Sequence, residues 1–502
     1  MCIISLVNPP AMRIQVQALS SRVSTEAIVI AYFVKANLEK HSLWRTLRAS
    51  ERVLIQRLVR TKDFSGKTGE AKIVYRTGGG KVVLLGLGEE KKWNQRSLVL
   101  AARQAMVVAK AEKVTSVGLA LESFMLPGMS IDRVAQALAE NAVMAVYDFP
   151  NYKKEKIPVK LKSASFFVNA SEFAAAQRGV SAGVIIGEQV NLARDLGNIP
   201  GGEMTPTMLA QKAVEVGKQT GVKVQVMGHD ALKKLGAGAI LGVAHGSSEE
   251  PKFIIMEYRG ASASEKPYVF VGKGVTFDSG GLNLKPGVHM NDMHLDMLGG
   301  AAVIAALGAI AKLKLKVNVV GLVPSVENMP GSAGYRPGDL LKGLSGKTIE
   351  VLDTDAEGRV ILSDALTYAE RYKPKLVVDV ATLTGACMVA LGLKTAGLFT
   401  PEKELQIKLT EVGERSGDYV WPLPLWEEHE ADIKGTFGDV QNVGRKGRYG
   451  DAINGAAFLW QFAKKYPWAH LDVAGPMKTV EGQFLAKGAS GVAVRFLVEL
   501  VR

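Results

Sequence analysis

The sequence is poor in cysteine and in long apolar runs. It has two cysteines, Cys2 and Cys387, and no CxxC pair, which argues against a disulfide framework and a cysteine-rich zinc site and fits a reducing compartment. It also lacks an uncharged apolar run of about 20 residues, as a membrane span requires. The best candidate, LVVDVATLTGACMVALGL, carries Asp379 and is expected to form a buried strand, a turn and a helix. The sequence therefore predicts no membrane span.

Two familiar catalytic signatures are absent as well. No HExxH occurs, and His289 and His294 do not have the i, i+4 spacing of a zincin helix, so both are interpreted as structural. Neither GKT tripeptide, at residues 66–68 and 346–348, has the preceding glycine of a P-loop. A histidine-based zinc peptidase and a nucleoside triphosphate site are therefore disfavoured.

Length and pattern predict an α/β fold with two α/β domains. The 502 residues exceed the size at which one hydrophobic core keeps growing. Strand-like runs alternate with helical patterns, and several later strands are nearly continuous apolar runs. Such runs predict a C-terminal domain built on a mostly parallel central sheet flanked by helices. We predict an N-terminal domain over 1–170, a linking helix over 171–195 and the C-terminal domain over 196–502.

The net charge of +13 is concentrated early, with 28 basic and 16 acidic residues before position 201. The basic residues are scattered, which favours a solvated surface over a nucleic-acid site. Residues 1–25 contain Arg13, Arg22 and several serines but no acid, which resembles a mitochondrial transit peptide. The alternation in MRIQVQAL from Met12 instead predicts a first strand.

Two charged islands are the strongest candidates for a site. VGKGVTFDSGGLNLKPG places Asp278 between Lys273 and Lys285 in an otherwise apolar and glycine-rich stretch. Alone it fits an internal ion pair. The second island, VLDTDAEGR, has charged residues at every second position, which an extended segment would place on one face. Its charged residues are Asp353, Asp355, Glu357 and Arg359.

Between the islands, MHLDMLGG contains Asp296 at the expected start of a helix. Alone it is explained as an acid at a helix N-terminus. Together with Asp278, Asp355 and Glu357 it makes a set of carboxylates that one arginine cannot balance. Such a set is suited to two divalent cations, and a lysine in the set would have to bind as a neutral amine.

These motifs carry a family resemblance. VGKGVTFDSGG with Lys285, MHLDM and TDAEGR are similar to the signature of the leucyl aminopeptidases, the cytosol aminopeptidase family of dinuclear metallopeptidases. LARDLGNIPGGEMTPT, GVAHGSS with MEYRG, and DVATLTGA resemble further landmarks of that family. The likeness extends from about Gly187 to the C-terminus, and the earlier part fits as an α/β partner domain.

The resemblance implies an aminopeptidase that releases leucine or another apolar N-terminal residue from peptides. It implies two metal ions, Zn or Mn, with Co or Mg as alternatives. Lys285 would be an electrophile and Arg359 would anchor bicarbonate as general base. A cytoplasmic homohexamer is also implied. One metal would be held by Lys273, Asp278, Asp296 and Glu357, and the other by Asp278, Asp355 and Glu357.

The same resemblance implies the residues of a first side-chain pocket. Its apolar, thioether-containing wall would favour leucine or methionine, although each residue is also compatible with an ordinary core position. Two positions depart from the family's pattern: Asp353, where asparagine is expected, and Pro476 of AGPM. The pocket residues are Met293, Thr382, Gly385, Ala474 and Met477.

Two other classes of function stay open at this point. Some family members also act on DNA, and the basic N-terminal part keeps such a function in view, although no helix-turn-helix or aromatic-interleaved basic motif occurs. A scaffold that keeps the fold without activity is the other class. The complete set of ligand residues argues against such decay.

Overall fold

The computed structural model describes residues 12–19, 23–155, 158–445, 447 and 449–502. It divides into two compact units. The first comprises Met1–Glu188 with Glu481–Ala486, and the second comprises Gln189–Val480 with Lys487–Arg502. The division falls within a single helix, Phe173–Asn198. The domain boundaries expected from the sequence, with a linking helix over 171–195, stay predictions.

The first unit is an α/β layer structure around a six-stranded sheet of order β1-β6-β5-β2-β4-β3. All strand pairs are parallel except β3 with β4. The strand predicted from Met12 is present and pairs with β6. The strands are β1 (Arg13–Ala18), β2 (Ala27–Phe33), β3 (Ala71–Tyr75), β4 (Lys81–Gly88), β5 (Ser116–Ala120) and β6 (Ser163–Val168), and the helices are α1 (Ala49–Arg60), α2 (Gln95–Ala111), α3 (Ile131–Val146) and α4 (Phe173–Asn198).

The second unit is built on a nine-stranded sheet of order β16-β15-β18-β14-β9-β11-β8-β7, in which β10 also pairs with β11. Five of its eight strand pairs are parallel. A smaller sheet has the order β12-β13-β17. The strands are β7 (Lys223–Met227), β8 (Lys252–Arg259), β9 (Tyr268–Gly272), β10 (Gly274–Asp278), β11 (Asn318–Asn328), β12 (Leu340–Lys342), β13 (Thr348–Glu350), β14 (Leu376–Ala381), β15 (Ala396–Phe399), β16 (Val420–Pro422), β17 (Val440–Gln441) and β18 (Trp468–Asp472).

Helices flank this sheet, because its central strands β9 and β14 are buried over their whole length and need apolar cover on both faces. The predicted mostly parallel α/β architecture is confirmed. The helices are α5 (Pro206–Thr220), α6 (His229–Leu235), α7 (Gly238–Ala244), α8 (Leu298–Lys312), α9 (Glu357–Ala369), α10 (Gly385–Leu391), α11 (Lys403–Ser416), α12 (Asp451–Trp460) and α13 (Val494–Leu500).

Helix α8 is the core helix of the second unit. The helical stretch Gly287–Lys312 that contains it is long and apolar enough to cross a membrane, but 89% of its most apolar window is buried inside the protein. Such burial is typical of a core helix. The stretch expected to form strand, turn and helix does so, as β14 and α10.

Candidate metal site

The sequence-predicted charged residues converge at the carboxyl ends of neighbouring strands. Lys273 follows β9, Asp278 ends β10, and Glu357 begins α9. The expectation that VLDTDAEGR is extended with all its charges on one face is wrong. Glu357 and Arg359 lie in the first turn of α9, where residues two apart do not share a face.

Four carboxylates, hereafter the carboxylate cluster, belong to Asp278, Asp296, Asp355 and Glu357. Oxygen atoms of three of them, Asp278, Asp355 and Glu357, lie within 4.8 Å of one another. Asp278, Asp296 and Glu357 are at most 4% exposed. Carboxylates this close repel one another strongly unless cations lie between them.

Lys273 joins Asp296 to Glu357. Its Nζ lies 2.7 Å from Asp296 Oδ2 and 2.7 Å from Glu357 Oε1, and it donates to the carbonyl of Thr382 at 3.0 Å. Burial lowers the pKa of Lys273, but Asp296 and Glu357 outweigh burial and raise that pKa above its usual value. Lys273 is therefore an ammonium in this arrangement.

Lys285 plays the corresponding part for the other two acids. Its Nζ lies 2.7 Å from Asp278 Oδ2 and 2.5 Å from Asp355 Oδ1. Burial lowers the pKa of Lys285, and the carboxylates, Asp278 foremost, raise it above its usual value. The two lysines thus supply two positive charges against four negative ones.

The shortage of positive charge appears in the pKa values of the acids. Burial and the neighbouring Asp278 raise the pKa of Asp355 to about 7, although Lys285 opposes them. Burial chiefly raises the pKa of Asp296 and of Glu357 as well. Divalent cations would lower these pKa values by stabilising the carboxylate form.

Three oxygen atoms fit a metal site in a further way. Asp296 Oδ2, Asp355 Oδ1 and Glu357 Oε1 are buried, and lysine nitrogens are their only close polar partners among the described residues. Lys273 Nζ lies 2.7 Å from Asp296 Oδ2 and from Glu357 Oε1, and Lys285 Nζ lies 2.5 Å from Asp355 Oδ1. Buried oxygen donors left in this state are suited to a hard divalent cation. For Lys273 to be a ligand, that cation would have to displace its proton.

Thr382 contacts the cluster directly, which its expected place in a pocket wall did not suggest. Its Oγ1 lies 2.6 Å from Asp296 Oδ1, to which it donates. The hydroxyl therefore fixes one oxygen of Asp296, while Oδ2 faces Lys273.

Three of the other expected pocket residues follow two adjacent strands, and Met293 lies elsewhere. Gly385 begins α10, just after β14. Ala474 and Met477 follow β18, which pairs in parallel with β14. Met293 lies in the 3₁₀ turn Met293–Leu295 that precedes α8. The carboxyl ends of β14 and β18 thus bring the side chains after them to the same edge of the sheet.

Arg359 is buried at the start of α9 and is held by two partners. Its Nη1 donates to the carbonyl of Asn442 at 2.9 Å, and its Nη2 donates to Asp451 Oδ1 at 3.2 Å. Its Nε has no hydrogen-bond partner in the part of the chain that the structure describes. The guanidinium thus retains one donor for an anion.

Asp353, the position that departs from the family's pattern, has a local structural task. Its Oδ1 accepts a hydrogen bond from the backbone N–H of Asp355 at 2.8 Å. This is the Asx turn that aspartate and asparagine both form. Asn442 holds the same turn by accepting from the N–H of Leu352 and donating to the carbonyl of Asp353.

The sequence reasoning missed the residues that hold the cluster from behind, chiefly Asn328, Tyr335 and Asn442. Their side chains contact the segments of Asp278 and Asp355. The one available signal was the position of Asn328 at the end of a long apolar strand, where ligand-binding residues concentrate.

A surface groove of about 450 Å³ lies elsewhere, between α11 and β16, and shares no residue with the cluster. Three strands, β15, β18 and β14, lie between β16 and β9 in the sheet order. Chemistry and burial therefore place the candidate site at the cluster, not at this groove.

Comparison with known proteins gives a consistent match over both units. The catalytic domain of the cytosol aminopeptidase family matches residues 191–498, and the N-terminal domain of the same family matches residues 29–156. The N-terminal match adds to the sequence motifs, all of which lie after Gly187.

Individual relatives of known sequence support the same family. The chain is 42% identical over 455 residues to a probable cytosol aminopeptidase of Syntrophotalea carbinolica, covering 88% of this chain and 90% of the relative. It is 40% identical over 483 residues to that of Burkholderia pseudomallei, covering 95% and 94%.

Two solved structures share the fold. A tomato leucine aminopeptidase mutant has a TM-score of 0.88 at 32% identity, over 99% of this chain and 97% of that one. The bottromycin maturation enzyme BotP in complex with Mn has a TM-score of 0.84 at 33% identity, over 95% and 99%. The expected resemblance is therefore confirmed: this chain belongs to the cytosol aminopeptidase family and is a metal-dependent aminopeptidase, a hydrolase.

Proposed function

We propose that this aminopeptidase removes leucine or another apolar residue from the N-terminus of peptides at a two-metal site. The observation that carries the proposal is the carboxylate cluster, in which four acids face two lysines and three buried oxygens have only those lysines as close polar partners among the described residues. The family membership and the Mn complex of the relative BotP support metal dependence.

Two divalent cations, Zn or Mn with Co or Mg as substitutes, would be held by the cluster and Lys273. When bound, they supply a water of lowered pKa and polarise the scissile carbonyl. Asp278 and Glu357 would belong to both sets of ligands. The first ion would be held by Lys273, Asp278, Asp296 and Glu357, and the second by Asp278, Asp355 and Glu357.

Lys285 and Arg359 would serve the reaction with their charges. The raised pKa of Lys285 keeps it positive at neutral pH, so it can stabilise the oxyanion that develops on the substrate carbonyl. Arg359, with its unpaired Nε, would hold bicarbonate, which would supply a general base.

Substrate choice would be set at the edge formed by β14 and β18. An apolar wall containing thioethers accommodates leucine or methionine and excludes charged side chains. We propose Met293, Thr382, Gly385, Ala474 and Met477 as that wall. Thr382 would also orient Asp296, because its hydroxyl already donates to it.

The protein is proposed to act in the cytoplasm, as the name of its relatives suggests. The mitochondrial alternative rests on residues 1–25, of which 1–11 and 20–22 lie outside the described residues. Within that segment, β1 pairs with β6 along its whole length. Strand β1 therefore forms part of the folded sheet of the first unit.

The test is hydrolysis of leucine amide by metal-stripped protein to which Mn, Zn or Co is returned. We expect metal to restore cleavage of the free-amine substrate and not of its N-acetylated form. Silence with every metal would overturn the proposal.

Variants locate the site. Asp355→Asn is expected to lower kcat/KM by at least about 100-fold, because mutation of residues that only hydrogen-bond to metal ligands already costs up to about 100-fold. It is also expected to lower the amount of bound metal measured by mass spectrometry. The control is Asp230→Asn, because Asp230 is a fully exposed acid on α6. Unchanged activity and metal content in Asp355→Asn would contradict the assignment.

A further inference from the structure

Asn328 connects the two charged islands at the C-terminal end of β11. Its side chain is completely buried. Its Nδ2 donates to Asp278 Oδ1 at 2.8 Å and to the carbonyl of Thr354 at 2.9 Å. These partners lie 50 residues before it and 26 residues after it in the chain. One amide group thus fixes both carboxylate-bearing segments relative to each other.

The backbone of Asn328 adds to this connection. Its carbonyl accepts from the N–H of Ser279 at 3.0 Å and from the hydroxyl of Ser279 at 2.7 Å. The residue that follows Asp278 is therefore held by the same asparagine that holds the Asp278 carboxylate. Both contacts lie in the buried interior, where a hydrogen bond is worth more than in water.

The contacts of Asp278 determine which of its oxygens faces the cluster. Oδ1 accepts from the N–H of Gly280 at 2.9 Å and from Asn328. Oδ2 is left to face Lys285 Nζ. Without Asn328, Oδ1 would lose one of these two donors, and the carboxylate would be free to rotate.

The peptide between Thr354 and Asp355 is held on both sides. The Thr354 carbonyl accepts from Asn328 and from Tyr335 Oη at 2.7 Å. The Asp355 N–H donates to Asp353 Oδ1. Because this peptide plane is fixed, the Asp355 side chain leaves the backbone in a defined direction toward Asp278 and Glu357.

The chemistry of the amide sets its orientation. Both partners of Nδ2 are acceptors, so a flipped amide would place Oδ1 against two oxygens. Oδ1 instead faces Gly281, where an added Cβ would approach it to 2.8 Å. Only a side chain that donates twice, from this position, satisfies both neighbours.

We propose that Asn328 is a positioning residue of the metal site: its amide aims Asp278 and the Thr354–Asp355 peptide so that the carboxylates converge on the cations. The inference rests on the proposed two-metal function. It predicts that loss of the amide lowers the affinity for metal as well as the stability of the fold. The acids are still present, but their carboxylates are no longer held in the direction of the cations.

A second asparagine on the same strand provides the matched control. Asn318 begins β11, is 2% exposed and makes three hydrogen bonds. Its Nδ2 donates to the carbonyls of Ser262 and Glu265, and its Oδ1 accepts from the N–H of Ala261. It lies at the opposite end of the strand from the cluster.

The experiment compares Asn328→Ala and Asn318→Ala by calorimetric titration with Mn and by thermal unfolding. Both variants are expected to lower Tm, because each loses buried hydrogen bonds. Only Asn328→Ala is expected to raise the Kd for Mn, by about 10- to 100-fold. At saturating Mn, its kcat for leucine amide should also stay below that of Asn318→Ala.

The outcomes separate the two proposals. If wild type binds Mn and Asn328→Ala binds it no more weakly than Asn318→Ala, the positioning role is wrong and the proposed function stands. If wild type itself binds no Mn, Zn or Co, both are wrong. Should Asn328→Ala fail to fold, Asn328→Ser is compared with Asn318→Ala, since its hydroxyl can replace only one of the two donated bonds. A higher Kd for Mn in Asn328→Ser supports the positioning role, and an equal Kd overturns it.

Discussion

At the residue scale, Gly358 shows how closely the helix that begins at Glu357 approaches the candidate site. A Cβ at Gly358 would lie 2.6 Å from Cε and 2.7 Å from Nζ of Lys273. Glycine within a helix normally costs about 0.5–1 kcal/mol relative to alanine. Here its absence of a side chain leaves room for the buried lysine.

Gly358→Ala is therefore expected to lower the free energy of unfolding and the activity, whereas replacing a helical glycine by alanine usually stabilises a protein. Forced overpacking costs about 1–3 kcal/mol, and the displaced Lys273 would no longer lie between Asp296 and Glu357. Urea unfolding and leucine amide hydrolysis measure the two effects. Gly202→Ala is the control, because its Cβ would meet nothing within 4 Å. Equal behaviour of the two variants would show that Lys273 moves aside freely.

At the element scale, strands β14 and β18 are joined by buried charge as well as by backbone pairing. His470 Nδ1 lies 2.5 Å from Asp379 Oδ1, and Trp468 Nε1 donates to Asp379 Oδ2 at 2.6 Å. Both His470 and Asp379 are fully buried. Burial lowers the pKa of His470, but Asp379 outweighs burial and raises that pKa above its usual value.

This pair predicts a pH-dependent stability. Because the folded-state pKa of His470 is raised, its contribution is complete below the unfolded pKa of about 6.5 and is lost as pH rises through the folded pKa. His470→Gln is expected to remove this decline and to cost about 3–5 kcal/mol at pH 6, the usual loss when one partner of a buried pair is removed.

Urea unfolding of wild type and variant at pH 6, 7.5 and 9 measures both effects. His229→Gln, at an exposed histidine on α6, is the control and should keep the slope of wild type. Parallel pH dependence in wild type and His470→Gln would show that the pair does not titrate in the folded protein.

Most of the fold and much of the site could be predicted at these two scales. The strands and helices around Lys273, Asp278 and Asp296 are predicted by apolar runs and by the glycine and proline residues that bound them. The residue types of the cluster are predicted by the two charged islands. The start of α9 at Glu357 was not predicted, because alternating charges resemble an extended segment until packing selects the helix. Asn328 was not predicted, because its position at the end of an apolar strand does not by itself distinguish a residue that holds a site from an ordinary strand end.

At the scale of the whole molecule, the structure leaves large apolar side chains exposed on the second unit. Val389 is 90% exposed, Phe437 82% and Tyr449 84%. Contiguous exposed apolar patches are often found at interfaces between subunits. The homohexamer that the family resemblance implies, with the catalytic domains at its centre, stays a prediction.

We expect the protein in solution to have a mass of roughly 320 kDa, six times the 53.8 kDa of the chain. Light scattering at several protein concentrations measures it. A mass of one chain at all concentrations would contradict the hexamer and would leave these exposed side chains without an interface.

The sequence alone determined the α/β class, the two-domain expectation and the identity of the charged residues, because these depend on local periodicity and on residue chemistry. How those charges are arranged depends on packing between distant parts of the chain. Asp278 ends β10, Asp296 follows the turn before α8 and Glu357 begins α9, so the three acids meet only through the packing of these elements. The contacts that aim them come from Asn328 and Thr382, which are distant in the chain. Such contacts depend on which strands are neighbours, and no local pattern in the sequence specifies that order.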